Sequence, residues 1–459
     1  MPPIRALLFP KIAIFRPRRV AANRLLIRFM VRSFSLFFLF FLVAFLQAQT
    51  PVVAPRQSQA VLIVGATAHL GNGMVIPNSA IAFENGKITM VADATTIRYD
   101  RTRFGKIFDA AGKHVYPGFI AAQSRLGLVE IDAVRATQDF SEVGSFNSNT
   151  RALIAYNTDS ELIPTVRSNG VLLSQVTPSG GTISGSSSVV QHDAWNWEDA
   201  VVLADDGLFL NWPALRSFGG WETGNPQMQR NEQYDKNVAE IKSFFAEAQA
   251  YSKLAKPAVA NPRFEAMRAL FAQQQNLYIR ASQVKPMQEA VLLAESFGLT
   301  PILVGATDAW LITDFLMEHK VAVVLNNTQS LPSRDDEAVD QPYRTPAILH
   351  EKGILFCISE EGSWRLRNLP FQAGQAVGYG LPYEDAVSSI TLNAAKILGI
   401  DDRVGSLTLG KDATLFISEG DALDMRTCIV TAAFIQGREI DLDNKQKALY
   451  RKYEAKYKQ

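Results

Sequence analysis

Gln123 and Arg125 close an apolar run, Val115–Ala122, that carries the dipeptide Pro117-Gly118. Side chains at i and i+2 of a strand point to the same side, so the two have the spacing of a paired ligand set at a strand end. Their chemistry contradicts that spacing, because cations take His, Cys, Asp or Glu rather than an amide and a guanidinium. Ser124 between them has no His in a triad context, which leaves nucleophilic serine chemistry without support. A second polar stretch is Gln175–Asp199, rich in Gly and Ser. Gly180 and Gly185 match G-x-x-x-x-G, but Ser186 stands where a phosphate-binding loop needs Lys. Backbone N–H groups around Gly180, Gly181 and Gly185, with the hydroxyls of Thr182, Ser184 and Ser186, could hold a polar ligand instead. An ordinary turn or a lid is the alternative, with Trp195, Trp197 and Trp212 packed beneath it. Glu130, Asp132, Asp139 and Glu142 offer an acid–base pair or, more simply, solvated loop charges.

The five histidines are His69, His114, His192, His319 and His350, and none pair at the spacings of a metal-binding strand or helix. His192 could reach a pocket, although a lone histidine is more often structural. Lys plus Arg number 46 and Asp plus Glu 45, so the net charge of +1 gives no electrostatic case for nucleic acid. Cys357 and Cys428 are the only cysteines. Cys357 lies inside the apolar run Ile354–Ile358, which reads as a buried free thiol.

These residues need elements to hold them. Ala60–Val64, Val75–Phe83 and Lys87–Val91 read as strands, the last two joined through Glu84-Asn85-Gly86. Ala413–Ile417, Cys428–Ala433 and Phe434–Gln436 have the same character near the other end. Between them strands alternate with helices. Leu277–Ala281, Pro301–Val304, Val321–Leu325 and Ile354–Ser359 read as strands. Val284–Ser296, Asp308–His319, Pro342–Glu351, Gly374–Tyr379, Pro382–Leu392 and Ala394–Leu398 read as helices. Met228–Leu254 reads as a long exterior helix. Repeated short βα units indicate an α/β protein with a TIM (β/α)₈ barrel, with a doubly wound sheet as runner-up. Both chain ends would combine into one small β-sandwich.

The expected organisation is a signal peptide over 1–48, a linker over 49–59 and sandwich segments over 60–114 and 401–440. The barrel spans 115–400 and a charged helix 441–459. Arg16 through Arg32 precede the apolar stretch Leu36–Leu46, which is shorter than the ~20 residues a membrane span needs. An exported, periplasmic or secreted chain is the expectation, with Met30 an alternative start and an uncleaved N-terminal membrane anchor the alternative.

Val115-Tyr116-Pro117-Gly118-Phe119-Ile120-Ala121-Ala122 resembles the opening run V-x-P-G-x-I-D-A-H-x-H of the amidohydrolase superfamily. The C-terminal stretch is similar to that family's T-x-N-P-A-K-x-L-G…G-S-L-x-x-G-K-D-A-D. It comprises Thr391-Leu392-Asn393-Ala394-Ala395-Lys396-Ile397-Leu398-Gly399, then Gly405-Ser406-Leu407, then Gly410-Lys411-Asp412-Ala413. The resemblance points to the imidazolonepropionase-like or dipeptidase-like branch. It implies hydrolysis of C–N bonds in amide, cyclic amide or peptide-like substrates by one or two metal ions, zinc or similar.

Residue-by-residue carry-over fails at the ligand positions. Gln123 and Arg125 stand for the strand-1 histidines and Arg280 for the strand-5 histidine, while Gly305 and Ala306 fall near strand 6 with Asp308 just beyond. Ser359-Glu360-Glu361 keeps a carboxylate near strand 8, with Glu360 the catalytic candidate. The family metal is therefore expected to be lost and no cofactor to replace it. Any remaining hydrolysis would avoid the usual binuclear mechanism. Arg125 and Arg280 would replace the metal's positive charge and pair with Glu360 or Glu361. That cluster is either self-neutralised or open to an anionic ligand such as a carboxylate. A small-molecule or peptide-like ligand is the expected partner, with self-association or assembly with a related amidohydrolase as further possibilities.

Overall fold

The computed structural model describes residues 53–219, 227–332, 334 and 336–458. The signal-like segment 1–48 lies outside the described residues. Among the described residues, no helix is long and apolar enough to cross a membrane.

Eight strands form the barrel sheet, labelled in chain order: β1 Phe119–Ser124, β2 Val171–Val176, β3 Ile183–Gln191, β4 Val201–Asn211, β5 Asn276–Ala281, β6 Pro301–Gly305, β7 Ala322–Leu325 and β8 Phe356–Ile358. They hydrogen-bond in sequence order, and β8 approaches β1 to leave the barrel nearly closed. β5 through β8 pair in parallel and, apart from Asn276 and Arg280 in β5, are apolar on both faces, as strands covered by helices require. The helix between β5 and β6 spans Val284–Ser296, as its amphipathic spacing predicts. Gln341–Glu351 and Leu369–Val377 follow on the same pattern.

One strand departs from the all-parallel (β/α)₈ plan. β3 runs antiparallel to both β2 and β4, so Val171–Asn211 is a meander in place of two βα units. The cause lies in the loop after β2. Gly180 and Gly181 both take left-handed backbone (φ 85° and 64°) and turn the chain straight back. "ISGSSSVVQ" then enters the sheet with all nine residues buried. The Gly/Ser stretch is therefore mostly strand, and only 177–182 is a loop at the barrel mouth.

The two chain ends do meet. Val61–His69, Val75–Glu84, Lys87–Asp93, Lys106–Asp109 and His114–Pro117 join Leu415–Ser418, Val430–Ile435 and Arg438–Glu439 in one branched eight-stranded sheet. It encloses its own apolar cluster, including Ile63, Phe83, Val115, Leu415 and Phe434. The long exterior helix is observed as Tyr234–Ser252. Met228 lies instead in a strand, Gln227–Arg230, paired with Arg216–Gly219. Both cysteines are free, with Cys357 buried.

Candidate anion site at the barrel mouth

The strand ends that should carry chemistry in a barrel bring Gln123, Arg125, Arg280 and Ser359-Glu360-Glu361 to the same end of the sheet as the 177–182 loop. Gln123 does not sit in regular strand. A bulge interrupts the β1–β2 register between Ala121 and Ser124, and Gln123 adopts φ 54°. The i, i+2 alternation expected for Gln123 and Arg125 is broken there, and Arg125 lies just past the strand. Gln123 is buried, its N–H donates to Gln175 Oε1 at 3.1 Å, and its own Oε1 has no protein partner. Ala306, across the mouth after β6, is a second non-glycine residue with positive φ, 41°.

The two arginines differ in their partners. Arg125 donates from Nη2 to Glu361 Oε1 at 2.5 Å and to Ser179 Oγ at 3.4 Å, and its guanidinium stacks on Phe140. Arg280 donates to Asn211 Oδ1 at 3.2 Å and to the Pro178 carbonyl at 3.1 Å, and lies 4.5 Å over the Phe209 ring. Both acceptors are neutral, so Arg280 has no carboxylate in contact. Burial lowers its pKa to about 10, with Glu361 opposing that shift and Arg125 adding to it. Nε of each arginine is buried without a protein acceptor. Ser359 Oγ, at the end of β8, is likewise buried and unpartnered.

Glu360, the catalytic candidate, is only 1% exposed. It accepts from Gly362 N–H and Gln372 Nε2, and pairs with Arg365 at 3.3 Å. Burial raises its pKa, and its carboxyl is taken up by these three partners. The surviving carboxylate at the mouth is Glu361. Asp308 pairs with Arg334 at 2.5 Å and accepts from Val284 N–H. It therefore caps Val284–Ser296 rather than the helix after it, which starts only at Thr313.

The polar-loop reading holds in part. Gly180, Gly181 and Thr182 remain at the loop. Ser184 donates to Gly180 O, and Ser186 accepts from Gln275, both from within β3 beside Gly185. Those hydroxyls satisfy the fold's own polar atoms. His192 lies at the opposite barrel end, bonded to Val171 O and Ser174 Oγ, with burial pulling its pKa down to about 4. Trp195 is not beneath the loop either. It is 70% exposed beside a cavity of about 810 Å³ at that opposite end, lined also by Ala54 and Arg438. Trp212 is buried and donates to Tyr234 Oη.

Sequence spacing did not reveal two groupings. Pairing of Val61–His69 with His114–Pro117 brings His69 Nε2 within 3.0 Å of His114 Nδ1, while His69 Nδ1 meets Glu384 Oε1 at 2.7 Å. Inside the barrel, Asp206 accepts from Ser187 Oγ (2.8 Å), Gln175 Nε2 (2.7 Å) and Tyr278 Oη (3.1 Å), and burial raises its pKa to about 6. The Asp205-Asp206-Gly207 run within a largely apolar strand was the only available signal for this group.

The mouth does not fit a metal ion. Among the described residues, no three His, Cys, Asp or Glu side chains converge as a ligand set. Two guanidinium groups at the mouth would repel a cation, and the orphaned Nε donors call for an acceptor.

A nearly closed eight-stranded barrel with its candidate site at the strand ends, joined to a sheet built from segments on either side of the barrel, defines a TIM-like barrel scaffold. Residues 347–440 match the amidohydrolase family. An amidohydrolase from Thermotoga maritima MSB8 superposes with a TM-score of 0.70 at 24% identity, covering 83% of this chain and 99% of that one. A Xaa-Pro dipeptidase with methionine bound in its active site gives 0.51 at 15% identity, covering 83% and 100%. Phenylurea hydrolase B gives 0.50 at 14%, covering 83% and 97%. No curated protein sequence matches the chain. Residues 347–440 thus carry the amidohydrolase family's pattern, and the solved amidohydrolase structures share the fold of most of the chain.

Proposed function

We propose that this chain is an exported amidohydrolase-superfamily barrel that has exchanged metal-dependent hydrolysis for recognition of a carboxylate. Its ligand is a small or peptide-like molecule whose carboxylate enters the mouth between Arg280 and Arg125. The observation that carries this reading is Arg280: a largely buried guanidinium with two neutral acceptors and an unpartnered Nε. A buried cation without a counter-ion is costly, and a bidentate carboxylate would relieve it. Arg125 is paired with Glu361 and Arg280 is not, so the mouth is neither fully self-compensated nor fully open.

The test has two parts. Protein purified without chelators is analysed for transition metals, then titrated with a panel of small carboxylates under thermal unfolding. A carboxylate that binds the native state raises the melting temperature. Stoichiometric metal, or no stabilisation by any carboxylate in the panel, would sink the reading. Export rests on the N-terminal sequence pattern, and cell fractionation tests it: accumulation of full-length chain in the cytoplasm excludes it.

A further inference from the structure

The helix Lys445–Tyr457 buries none of its residues. Asn444 caps it by accepting from Lys447 N–H, and Arg451 ties back to Asp443. A helix this short is marginal on its own in water. Leu449, Tyr450, Tyr453 and Tyr457 fall on one face by their spacing, and are 43%, 66%, 50% and 80% exposed. Lys445, Lys452 and Lys456 border that face. Over residues 445–459 there are six Lys or Arg against one Glu, while residues 53–444 carry 32 against 44. The helix is thus an aromatic, cationic surface on an acidic body.

The same flank carries a surface of opposite character. The hairpin-like loop after β1 exposes Ile131 and Val134 (51% and 41%) beside Asp132 and Asp139, with Val143 91% exposed just beyond. One short segment links the two surfaces. Ser160 Oγ donates to Glu130 Oε2 at 2.6 Å at one end of it, and Thr165 Oγ1 donates to Gln446 Oε1 at 2.7 Å at the other. In one chain neither surface covers the other, since both stay exposed.

We propose that a second copy of this chain covers them, with the 445–457 helix of each protomer lying on the acidic, apolar 130–143 loop of its partner. A two-fold axis beside residues 160–165 makes both contacts at once, as an isologous interface requires. The tyrosines supply rigid contact area and the lysines face Asp132 and Asp139.

Sedimentation velocity on the full chain tests this, with circular dichroism confirming that each variant keeps its helix content. The unaltered chain is expected to be dimeric at micromolar concentration. Reversing two lysines (K452E/K456E) is expected to raise the dimer dissociation constant by roughly a hundredfold. Adding D132K/D139K to that variant is expected to restore association. A monomeric parent, a dimer indifferent to K452E/K456E, or failure of the charge-swapped pair to recover would each overturn the proposal. Helix-dependent binding of a monomer to phosphatidylglycerol vesicles would overturn it in favour of a membrane surface.

Discussion

Replacing Arg280 with Met separates a structural arginine from a ligand-seeking one. The fall in its pKa from 12.5 to about 10 corresponds, at about 1.4 kcal/mol per pH unit, to roughly 3 kcal/mol of cost in keeping the guanidinium charged where it sits. The protein recovers about that much through the bonds to Asn211 and Pro178, at about 1.5 kcal/mol each, the low end for a charged donor because both acceptors are neutral, while stacking on Phe209 adds little that Met would lose. Met keeps much of the stacking area and removes both the charge and the two bonds. These contributions nearly cancel, so Arg280→Met should change unfolding free energy by no more than about 1 kcal/mol near neutral pH. The same variant should abolish carboxylate-dependent stabilisation, which for the parent at a hundredfold excess over Kd is about 2.7 kcal/mol. The sign follows for pH as well. A base with a depressed folded pKa weakens the fold while it is protonated, so the parent should gain stability relative to the variant only as pH climbs above about 10. Urea unfolding of both proteins, with and without carboxylate, decides the matter. A loss of 3–5 kcal/mol in Arg280→Met, the cost of breaking a structural buried pair, with no ligand effect in the parent, would refute the reasoning.

Glu361→Gln should tighten carboxylate binding by about tenfold, because Glu361 competes for Arg125 and offsets Arg280 through space; calorimetric titration showing weaker binding would contradict it. Asp206→Asn probes the buried acid in the barrel. Its pKa is raised from 3.8 to about 6, so the charged form weakens the fold above pH 6 and this cost disappears below about pH 4. The stability of the variant relative to the parent should therefore rise by about 3 kcal/mol from pH 4 to pH 7, whatever constant offset the lost hydrogen bonding adds; parallel unfolding curves would rule it out. Gly207→Ala would place a Cβ 2.0 Å from the Tyr278 ring, which is stacked on Phe209 and bonded to Asp206. A loss of about 3 kcal/mol is expected from this overpacking, and wild-type stability would show that the ring is not held there.

The second half of the barrel was legible because parallel strands buried on both faces are written as short apolar runs. Pro301–Gly305 and Ala322–Leu325 could be read to within a residue or so for that reason. The first half was not. "ISGSSSVVQ" has the composition of a loop, yet Ser187 is spent on Asp206, Ser186 on Gln275 and Ser184 on Gly180. Its polarity records internal hydrogen bonds rather than exposure. The placement of Arg280 and Glu361 at the mouth followed from strand-end position, whereas the bulge at Gln123 and the contact between His69 and His114 depend on register between strands. No local spacing encodes that register.

On the proposed reading, the mouth keeps the sign of a metal site's charge and changes what that charge can do. A metal ion binds water and lowers its pKa, and so makes its own nucleophile. Arg125 and Arg280 are donors only. They can hold and orient a carboxylate but cannot generate hydroxide. A nucleophile would then need a base at the mouth. The carboxylate there is Glu361, and its bond from Arg125 at 2.5 Å already occupies one of the oxygens that would have to take a proton. Ser359 has a free hydroxyl but no hydrogen-bonded partner to take its proton. The geometry thus supports binding at each position where hydrolysis would need a proton moved. If Glu361→Gln tightens binding and creates no hydrolytic defect, the mouth is a receptor site. If it abolishes a slow C–N hydrolysis present in the parent, Glu361 is a base after all and the proposed exchange of function fails.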